Sequence, residues 1–275
     1  MKTLEYTFTM PSSDIQHDML TTMLAEIGFD SFMDDDYVLK AYRSAENRDD
    51  TAIEALLTVP AFFDIHLLKV EEMPDKDWNE LWEASYQPVV VNERCRVRAP
   101  FHEPDSHYEF DLVIEPKMSF GTANHETTAQ IIQLMLETDF QKKTVLDMGS
   151  GTAVLAILAK KLGSAHTVAI DNDEWAYRNA FTNCELNGIS DIEIVLGDAL
   201  SVKGKFDVVL ANINRNILLR DMHNYADAMN PSAHIFFSGF YTEDLESIKA
   251  EASRCGLHYL RHLSRNNWVA AEFCK

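Results

Sequence analysis

The stretch TVLDMGSGTAVLAILAKK, residues 144–161, decides the fold. Its first residues predict a buried strand that ends near Asp147, and the apolar run from Val154 predicts a helix. Between the two, Gly149 and Gly151 let the backbone turn sharply and approach a ligand with no Cβ in the way. The following helix presents unpaired backbone amides at its N-terminus. We therefore predict the first strand, turn and helix of an α/β sheet whose ligand binds beyond the carboxyl ends of the strands.

The region after this stretch repeats the same pattern. Short apolar strands alternate with helices as far as about residue 256, which predicts a mostly parallel sheet covered on both faces. The last two apolar runs, residues 257–264 and 268–275, predict an antiparallel hairpin that turns at Arg265–Asn267. The fold predicted for residues 86–275 is thus a Rossmann-like, seven-stranded α/β domain with a terminal hairpin.

The first 72 residues predict a separate, smaller domain. Their apolar spacing follows the order strand, helix, strand, strand, helix, strand, with the last strand starting near Ala61. The two middle strands form a hairpin that turns at the three aspartates of residues 34–36. This order is that of a ferredoxin-like α+β domain. Residues 73–85 predict a helical linker, with Trp78 and Trp82 packed between the two domains in preference to forming a ligand box.

The composition limits the classes of partner. The chain has 275 residues and a formal net charge of −20, which disfavours direct binding to nucleic acid and attracts basic partners, although solubility alone also explains an acidic surface. The four cysteines form no CxxC pair and no metal-site spacing is present, so we expect reduced thiols and no metal. Because the sequence lacks an apolar run of membrane length and a signal peptide, we expect a protein of the cytoplasm. We also expect a monomer.

The residues around the glycine turn favour a bound adenosine. A dinucleotide fingerprint requires glycine where Val154 stands, and the phosphate-loop ending Gly-Lys-Ser/Thr is missing. Asp171 instead follows the next strand, about twenty residues after Gly151, where a carboxylate accepts hydrogen bonds from both ribose hydroxyls. We predict S-adenosyl-L-methionine as the cofactor, with a nicotinamide cofactor as the alternative. A turn without a ligand remains the alternative for the glycines, and a helix cap for Asp171.

Two further acidic residues are assigned to the cofactor site. Asp147 is expected either to anchor the loop amides or to lie near the positively charged sulfur. Asp198, in the GDAL segment of residues 197–200, is expected to reach the adenine amino group, unless this segment is only a turn.

The segment ANIN, residues 211–214, follows a predicted strand and places Asn212 at the rim of the site, where methyl transfer would occur. In this reaction a neutral nitrogen of the acceptor attacks the methyl group on the positively charged sulfur of the cofactor. A lysine amine has a reference pKa of about 10.4, so losing its proton at pH 7 costs about 4–5 kcal/mol. A carboxylate beside the amine holds this proton more tightly, whereas a neutral amide orients the nitrogen without doing so. We assign Asn212 as the catalytic residue and Ile213 as an apolar wall. A turn at the end of a strand is the alternative for Asn212.

The segment MSFGTANHETT, residues 118–128, completes the predicted site. Phe120 and Gly121 predict a loop that closes over a flat ligand. A helix is predicted to start near residues 127–128, with the hydroxyl of Thr128 near the carboxylate of the cofactor. For His125 we expect a structural hydrogen bond, in preference to a role as a base or a ligand.

Six ordered segments, spanning residues 72–275, resemble the ribosomal protein methyltransferases of the PrmA type, which are class I S-adenosylmethionine-dependent enzymes. The segments are DKDWNELWEASYQP, SFGTANHETT, TVLDMGSGTAVLAI, VAIDNDEWAYRNAFTNCELNG, DVVLANI, and SGF with the closing NNWVAAEF. The resemblance implies methylation of lysine side chains and of the N-terminal amine of protein eleven of the large ribosomal subunit, to the trimethylated state. It also implies an N-terminal domain that recognises this substrate. The cofactor contacts that it implies fall on Thr128, Gly149, Asp171 and Asn212, with Phe120 and Gly121 nearby.

The chain departs from the family pattern in its loops. Ala123, Asn124 and Glu126 replace Gly, Thr and Pro, and Ala153 replaces the third glycine of the turn. The NRNIL segment after Asn212 also differs from the commoner form. These changes leave three alternatives open: a methyltransferase for another basic protein, one for a nucleobase, or a cofactor-binding ribosome-assembly module without turnover.

Overall fold

The structure is a computed structural model that describes residues 2–35, 37–73, 86–116 and 125–275. By its internal contacts the chain divides into two compact units, Met1–Tyr86 and Gln87–Lys275. The predicted helical linker, residues 73–85, lies outside the described residues except for Met73. Trp78 and Trp82 are therefore not described. Four loop residues that were singled out above also lie outside the described residues: Phe120, Gly121, Ala123 and Asn124.

The first unit is a four-stranded antiparallel sheet with two helices. Its elements are β1 (Thr3–Thr9), α1 (Asp14–Glu26), β2 (Ser31–Asp35), β3 (Val38–Ser44), α2 (Asp50–Leu57) and β4 (Leu67–Met73). The strand order is β2-β3-β1-β4. Burial alternates along β1, because Leu4, Tyr6 and Phe8 point into a core that they share with Leu24 of α1 and Ile53 of α2. The period of two along the strand therefore places the helices on one face of the sheet.

Two boundaries in the first unit differ from the prediction. Asp34 and Asp35 belong to β2 and pair with β3, so the hairpin closes only after Asp35. The last strand begins at Leu67 and not near Ala61, because residues 60–62 form a 3₁₀ turn. In this turn the amide of Phe62 donates to Val59 O and that of Ile65 to Phe62 O, both at 2.9 Å, which buries both side chains three residues apart.

The second unit is built around a seven-stranded sheet. Its strands are β8 (Thr144–Met148), β9 (His166–Asp171), β10 (Ile192–Leu196), β11 (Phe206–Asn212), β12 (Met229–Tyr241), β13 (His258–Arg265) and β14 (Trp268–Cys274). Their order is β10-β9-β8-β11-β12-β14-β13; the first five in this order run parallel, and β14 runs antiparallel to both of its neighbours. A separate three-stranded sheet precedes it: β5 (Val89–Val91), β6 (Cys95–Arg98) and β7 (Phe110–Val113).

Helices cover both faces of the seven-stranded sheet, as the alternating pattern predicted. They are α3 (Glu126–Leu136), α4 (Val154–Lys161), α5 (Glu174–Leu186), α6 (Arg215–Asp227) and α7 (Leu245–Arg254). Buried residues such as Leu134 of α3 and Leu158 of α4 belong to the core on one face, and Leu218 of α6 and Ile248 of α7 to the core on the other. The carboxyl ends of the parallel strands, and the start of the antiparallel β14, therefore meet at one edge of the sheet.

Candidate functional site

A cavity of about 360 Å³ opens at the edge of the sheet where β8, β9, β11 and β12 end. Its size is within the range of small-molecule sites, and ligands of α/β sheets bind at this edge. The described residues that line it are His125, Thr127, Thr128, Gly149, Gly151, Asp171, Asn172, Asn212, Ile213, Asn214, Gly239 and Trp268. The fold thus brings together six residues that were predicted for the site: Thr128, Gly149, Gly151, Asp171, Asn212 and Ile213.

The glycine turn is tied to the neighbouring strand β9. The backbone amides of Gly149 and Ser150 both donate to the carbonyl oxygen of Ile170, at 2.8 and 3.1 Å. Gly149 has a φ of +69°, and a Cβ on it would lie 2.2 Å from Cγ2 of Ile213. Glycine is therefore required here twice, by the left-handed backbone and by the close approach of the acceptor segment.

Asp171 is held at the cavity by two backbone amides. Its Oδ2 accepts the N–H of Gly151 at 2.8 Å, and its Oδ1 accepts the N–H of Asp173 at 3.0 Å. The cap of α5 is Asp173, whose side chain accepts from Trp175 and Ala176, so the cap considered as an alternative for Asp171 belongs to a different residue. A carboxylate has about four acceptor positions, so Asp171 retains positions for hydroxyl groups of a ligand.

Asn212 and Thr128 meet at the wall of the cavity. Asn212 ends β11, and its Nδ2 donates to Oγ1 of Thr128 in the first turn of α3 at 3.1 Å. This bond fixes the orientation of the side-chain amide. The carbonyl oxygen Oδ1 of Asn212 is thereby left to accept a hydrogen bond from a bound group.

Gly239 shapes the segment that carries Asn212. The amide of Ile213 donates to the carbonyl oxygen of Ser238 at 3.1 Å, which extends the pairing of β11 with β12 by one residue. Gly239 has a φ of +94°, and a Cβ on it would lie 2.4 Å from the carbonyl oxygen of Ile213. The backbone beside Asn212 is therefore in close contact with β12, and only glycine fits this contact.

Two described acidic residues that were assigned to the cofactor site, Asp147 and Asp198, lie outside the cavity lining. Asp147 is only 1% exposed and accepts the N–H of Ala156 in α4 at 3.0 Å. Burial, together with the negative charge of Asp171, raises the pKa of Asp147 to about 7, against the lowering effect of the bond from Ala156. Asp147 thus anchors the first turn of α4, and among the described residues neither a bond to the loop amides nor a place beside the sulfur is seen for it.

Asp198 caps a turn, and its assignment to the adenine amino group stays a prediction. Its side chain accepts the N–H of Leu200 at 3.0 Å and caps the 3₁₀ turn Ala199–Ser201. The Oγ of Ser201 lies 3.3 Å from the backbone nitrogen of Asp198 and accepts its hydrogen in return. Both hydrogen bonds lie within the turn.

His125 makes the structural hydrogen bond that was expected of it. This bond caps α3 and explains why the helix begins earlier than predicted. The Nδ1 of His125 accepts the N–H of Thr127 at 3.3 Å and caps the helix, which therefore begins at Glu126 and not at residues 127–128. The Nδ1 atom also lies 2.8 Å from Oγ1 of Thr127. The ring of His125 contributes to the cavity wall as well.

Glu126 and Ala153 are departures from the family pattern that lie within the described residues. Glu126 accepts a hydrogen bond of 2.8 Å from Nδ2 of Asn266, in the turn between β13 and β14. Ala153 is fully buried with a φ of +62°, a conformation that suits glycine, and its amide donates to Ser150 O at 2.7 Å. Both residues thus take part in defined contacts of the loops around the cavity.

The lining residues that sequence reasoning missed include Asn172, Gly239 and Trp268. The SGF and NNW segments that contain Gly239 and Trp268 contributed to the family resemblance, but neither residue type indicated a site. Contact with the cavity arises from the pairing of β12 with β14, in which Tyr241 lies opposite Trp268. Long-range pairing of this kind has no local signature in the sequence.

In the described part of the chain, no group of three or more His, Cys, Asp or Glu side chains is placed to hold a metal ion. Cys95, Cys184, Cys255 and Cys274 are free thiols. Among the helices of the described ranges, none has the length and apolar character needed to cross a membrane.

Comparison with known proteins identifies the family. The family model "Ribosomal protein L11 methyltransferase (PrmA)" matches residues 10–275. The protein of that name from Bacteroides fragilis is 43% identical over 281 residues, which cover 99% of each chain. The one from Chlorobaculum tepidum is 32% identical over 264 residues, covering 93% of this chain and 91% of the relative.

Solved structures agree with this result. The ribosomal protein L11 methylase from Lactobacillus delbrueckii subsp. bulgaricus superposes with a TM-score of 0.64 at 26% identity, covering 68% of this chain and 98% of that one. A methyltransferase from Pyrococcus furiosus, at a TM-score of 0.50 and 19% identity, shares the fold. Because the family model spans nearly the whole chain and the relatives match it end to end, the chain belongs to the ribosomal protein L11 methyltransferase (PrmA) family of methyltransferases.

Proposed function

We propose that this chain transfers methyl groups from S-adenosylmethionine to lysine side chains and the N-terminal amine of ribosomal protein L11. The observation that carries the proposal is the placement of the glycine turn, Asp171 and the Asn212–Thr128 pair around one cavity. The names of the relatives support the choice of L11 as the substrate.

The described residues fit an adenosyl donor better than a nicotinamide dinucleotide. Gly149 and Gly151 expose backbone at the cavity, and each carboxylate oxygen of Asp171 keeps an acceptor position for a ribose hydroxyl beside its bond from a backbone amide. A dinucleotide fold needs a third glycine where Val154 stands, and Val154 is 1% exposed in the core. When bound, S-adenosylmethionine supplies an electrophilic methyl group and a neutral thioether as the leaving group.

The acceptor side orients an amine without holding its proton. The Oδ1 of Asn212 accepts a hydrogen from the amine nitrogen, and Ile213 provides an apolar wall beside it. After the acceptor ammonium has lost one proton to water, the lone pair of its nitrogen would form the new N–C bond while the S–C bond breaks and its electrons go to sulfur. The product ammonium then loses its proton to water before a further transfer. Positioning of the two reactants is worth up to about 7–11 kcal/mol, which is enough to make a dedicated base unnecessary.

We assign substrate recognition to the first unit, residues 1–72, as a ferredoxin-like domain joined through residues 73–85 to the catalytic domain of residues 86–275. The strand order β2-β3-β1-β4, with both helices on one face, supports this fold. The first 86 residues contain 6 Lys and Arg against 19 Asp and Glu, a net charge of −13 out of the total of −20. Such a concentration of negative charge attracts a basic protein. We place the reaction in the cytoplasm, with the enzyme as a monomer.

Incubation of the full chain with labelled S-adenosylmethionine and purified ribosomal proteins tests the proposal. We expect label in L11, at lysines and at the N-terminal amine by mass spectrometry, and much less label with Asn212→Ala. Label in a different ribosomal protein contradicts the choice of substrate. Tight binding of S-adenosylmethionine by calorimetry, with no labelled product from any ribosomal protein or RNA, identifies a binding module without turnover.

A further inference from the structure

Three aromatic rings meet at one end of the cavity. Trp268 and His125 both line it, with ring centroids 4.5 Å apart and planes at 70°. Tyr241 packs on Trp268 with centroids 4.1 Å apart and planes at 37°. We call these three residues the aromatic wall. None of them was assigned a part in the transfer reaction described above.

A tight turn and two hydrogen bonds to α3 hold the backbone of Trp268 in place. It directly follows Asn266 and Asn267, whose φ values of 48° and 68° make a tight hairpin turn. The side chain of Asn266 donates to Glu126 at 2.8 Å, and the carbonyl oxygen of Trp268 accepts from Nε2 of Gln130 at 3.3 Å. Glu126 and Gln130 both belong to α3, the helix that carries Thr128. The aromatic wall and the Thr128–Asn212 pair are therefore held by the same helix.

The sheet order places the aromatic wall and Asp171 at opposite ends of the cavity. From Asp171 on β9 the order runs through β8, β11 and β12 to Trp268 on β14. With strands about 4.8 Å apart, Asn212 on β11 lies two strands, or about 10 Å, from each end. Among the described lining residues the one carboxylate is Asp171, so the end beyond Asn212 is aromatic and free of carboxylates.

Successive methylation of the acceptor nitrogen changes the chemical group that the aromatic end of the cavity would bind. Each added methyl group replaces an N–H on the acceptor nitrogen, so fewer hydrogen bonds to Asn212 are possible, while apolar area grows and the protonated form keeps its positive charge. Aromatic rings attract such methylated ammonium groups through their negative faces. A carboxylate attracts them too, but it also holds the proton that must leave before the next transfer.

We infer that the aromatic wall, with Trp268 at its centre, binds the methylated amine of the acceptor between transfers and thereby determines how many methyl groups are added. This inference rests on the proposed function, because it presupposes an amine as the acceptor. In this reaction Trp268 selects among acceptors that differ only in methylation state.

Kinetics on two forms of the same substrate test the inference. We expect Trp268→Leu, which keeps apolar bulk but loses the aromatic ring, to lower kcat/KM about ten-fold on L11 reductively dimethylated at its lysines, and no more than about two-fold on unmodified L11. Mass spectra of products from unmodified L11 then show mono- and dimethyl forms accumulating. Trp268→Phe retains most of the trimethylation. Trp175→Leu, at a tryptophan that is 76% exposed on α5, behaves as wild type.

Equal losses on both forms of L11 overturn the inference, since they indicate a general structural role for Trp268. So does a wild-type proportion of trimethylated product from Trp268→Leu. Calorimetry with S-adenosylmethionine shows whether each variant keeps its cofactor site.

A binding measurement separates failure of this inference from failure of the proposed function. Nε-trimethyllysine amide and its neutral carbon isostere are titrated into the full chain while tryptophan fluorescence is followed. We expect the charged compound to bind at least about three-fold more tightly, and the signal to disappear in Trp268→Leu. Equal affinities overturn the inference whether or not L11 is methylated. Absence of L11 methylation, with the charged compound preferred, contradicts only the choice of L11.

Discussion

The side-chain amide of Asn212 donates a 3.1 Å hydrogen bond to the hydroxyl of Thr128, although 84 residues separate the two in sequence. Asn212 ends the central strand β11, and Thr128, only 2% exposed, lies in the first turn of α3. The bond selects one orientation of the amide and leaves its oxygen as the acceptor. The start of α3 therefore controls the geometry with which the acceptor amine is held.

Thr128→Val, which removes the hydroxyl and keeps the shape of the side chain, is expected to lower kcat about five-fold. The physical reason is that one neutral hydrogen bond contributes about 1 kcal/mol, here to the orientation of Asn212. Single-turnover rates with saturating S-adenosylmethionine measure this effect. Thr138→Val, two residues beyond the end of α3, removes a hydroxyl that donates to Leu134 O; it serves as the control and should leave the rate unchanged.

A double-mutant cycle tests whether Thr128 acts through Asn212. Asn212→Ala is expected to lower turnover more than cofactor affinity, and adding Thr128→Val to it should have little further effect on kcat. Fully additive losses in the double variant contradict the proposed coupling. An unaffected rate in Asn212→Ala removes this residue from the catalytic role.

Asp171→Ala is expected to weaken binding of S-adenosylmethionine by about 1–3 kcal/mol, the range for one charged hydrogen-bonding pair. The loss includes the anchor that Asp171 provides for the amide of Gly151 at 2.8 Å. Calorimetric titration gives the affinity. Asp173→Ala, which removes the cap of α5, should instead lower the free energy of unfolding by about 1 kcal/mol with a much smaller change in affinity. Equal affinity losses in the two variants indicate that loop order, and not the carboxylate of Asp171, determines binding.

The core of the candidate site was predictable because it depends on local geometry. A strand, a glycine turn and a helix bring Gly149 and Gly151 to the carboxyl edge, and the next strand brings Asp171 beside them, with all spacings set within one strand–helix–strand unit. Asn212 was predictable for the same reason, since it ends a strand of the same sheet. The hydrogen bond to Thr128 was not, because it joins elements that only the folded sheet brings together.

Some local patterns leave a choice that the periodicity of the sequence does not resolve. β8 is buried on both faces, so alternation does not reveal that Asp147 points into the core. Asp171 and Asp173 both precede α5, and only the backbone path assigns the cap to Asp173. The run after Pro60 has strand-like composition, but the core takes Phe62 and Ile65 from a turn. For Asp147, Phe62 and Ile65, burial in the core outweighs the local preference.

Gly239→Ala is expected to lower kcat at least about ten-fold while changing the affinity for S-adenosylmethionine little. The added Cβ would lie 2.4 Å from the carbonyl oxygen of Ile213, so the segment with Asn212 has to move. Gly204→Ala is a matched control, because Gly204 has the same φ of +94° with no atom within 4 Å of the added Cβ. Both variants should lose about 1–2 kcal/mol of folding stability from the left-handed backbone, but only Gly239→Ala should lose activity. Equal activities contradict the role of this contact.

The buried carboxyl of Asp147 makes stability depend on pH. Its pKa is raised to about 7 in the folded protein, mainly by burial, whereas an unfolded chain has about 3.9. Between these values the folded state binds a proton that the unfolded state does not. The contribution of Asp147 to the free energy of unfolding is therefore largest below about pH 4, falls as the pH rises to about 7, and is constant above that.

Asp147→Asn is expected to stabilise the protein at pH 8 relative to wild type, by up to about 4 kcal/mol, and to change stability little at pH 4.5. The amide keeps an oxygen for the N–H of Ala156 but carries no charge to bury. Urea unfolding at the two pH values measures the difference. Asp207→Asn gives a comparison of opposite sign, because the pKa of Asp207 is lowered by hydrogen bonds from the amide of Thr144 and from Asn230. That variant should be less stable than wild type at pH 8, with the deficit shrinking only as the pH falls below about 4. A pH-independent effect of Asp147→Asn contradicts the assignment of a raised pKa to this carboxyl group.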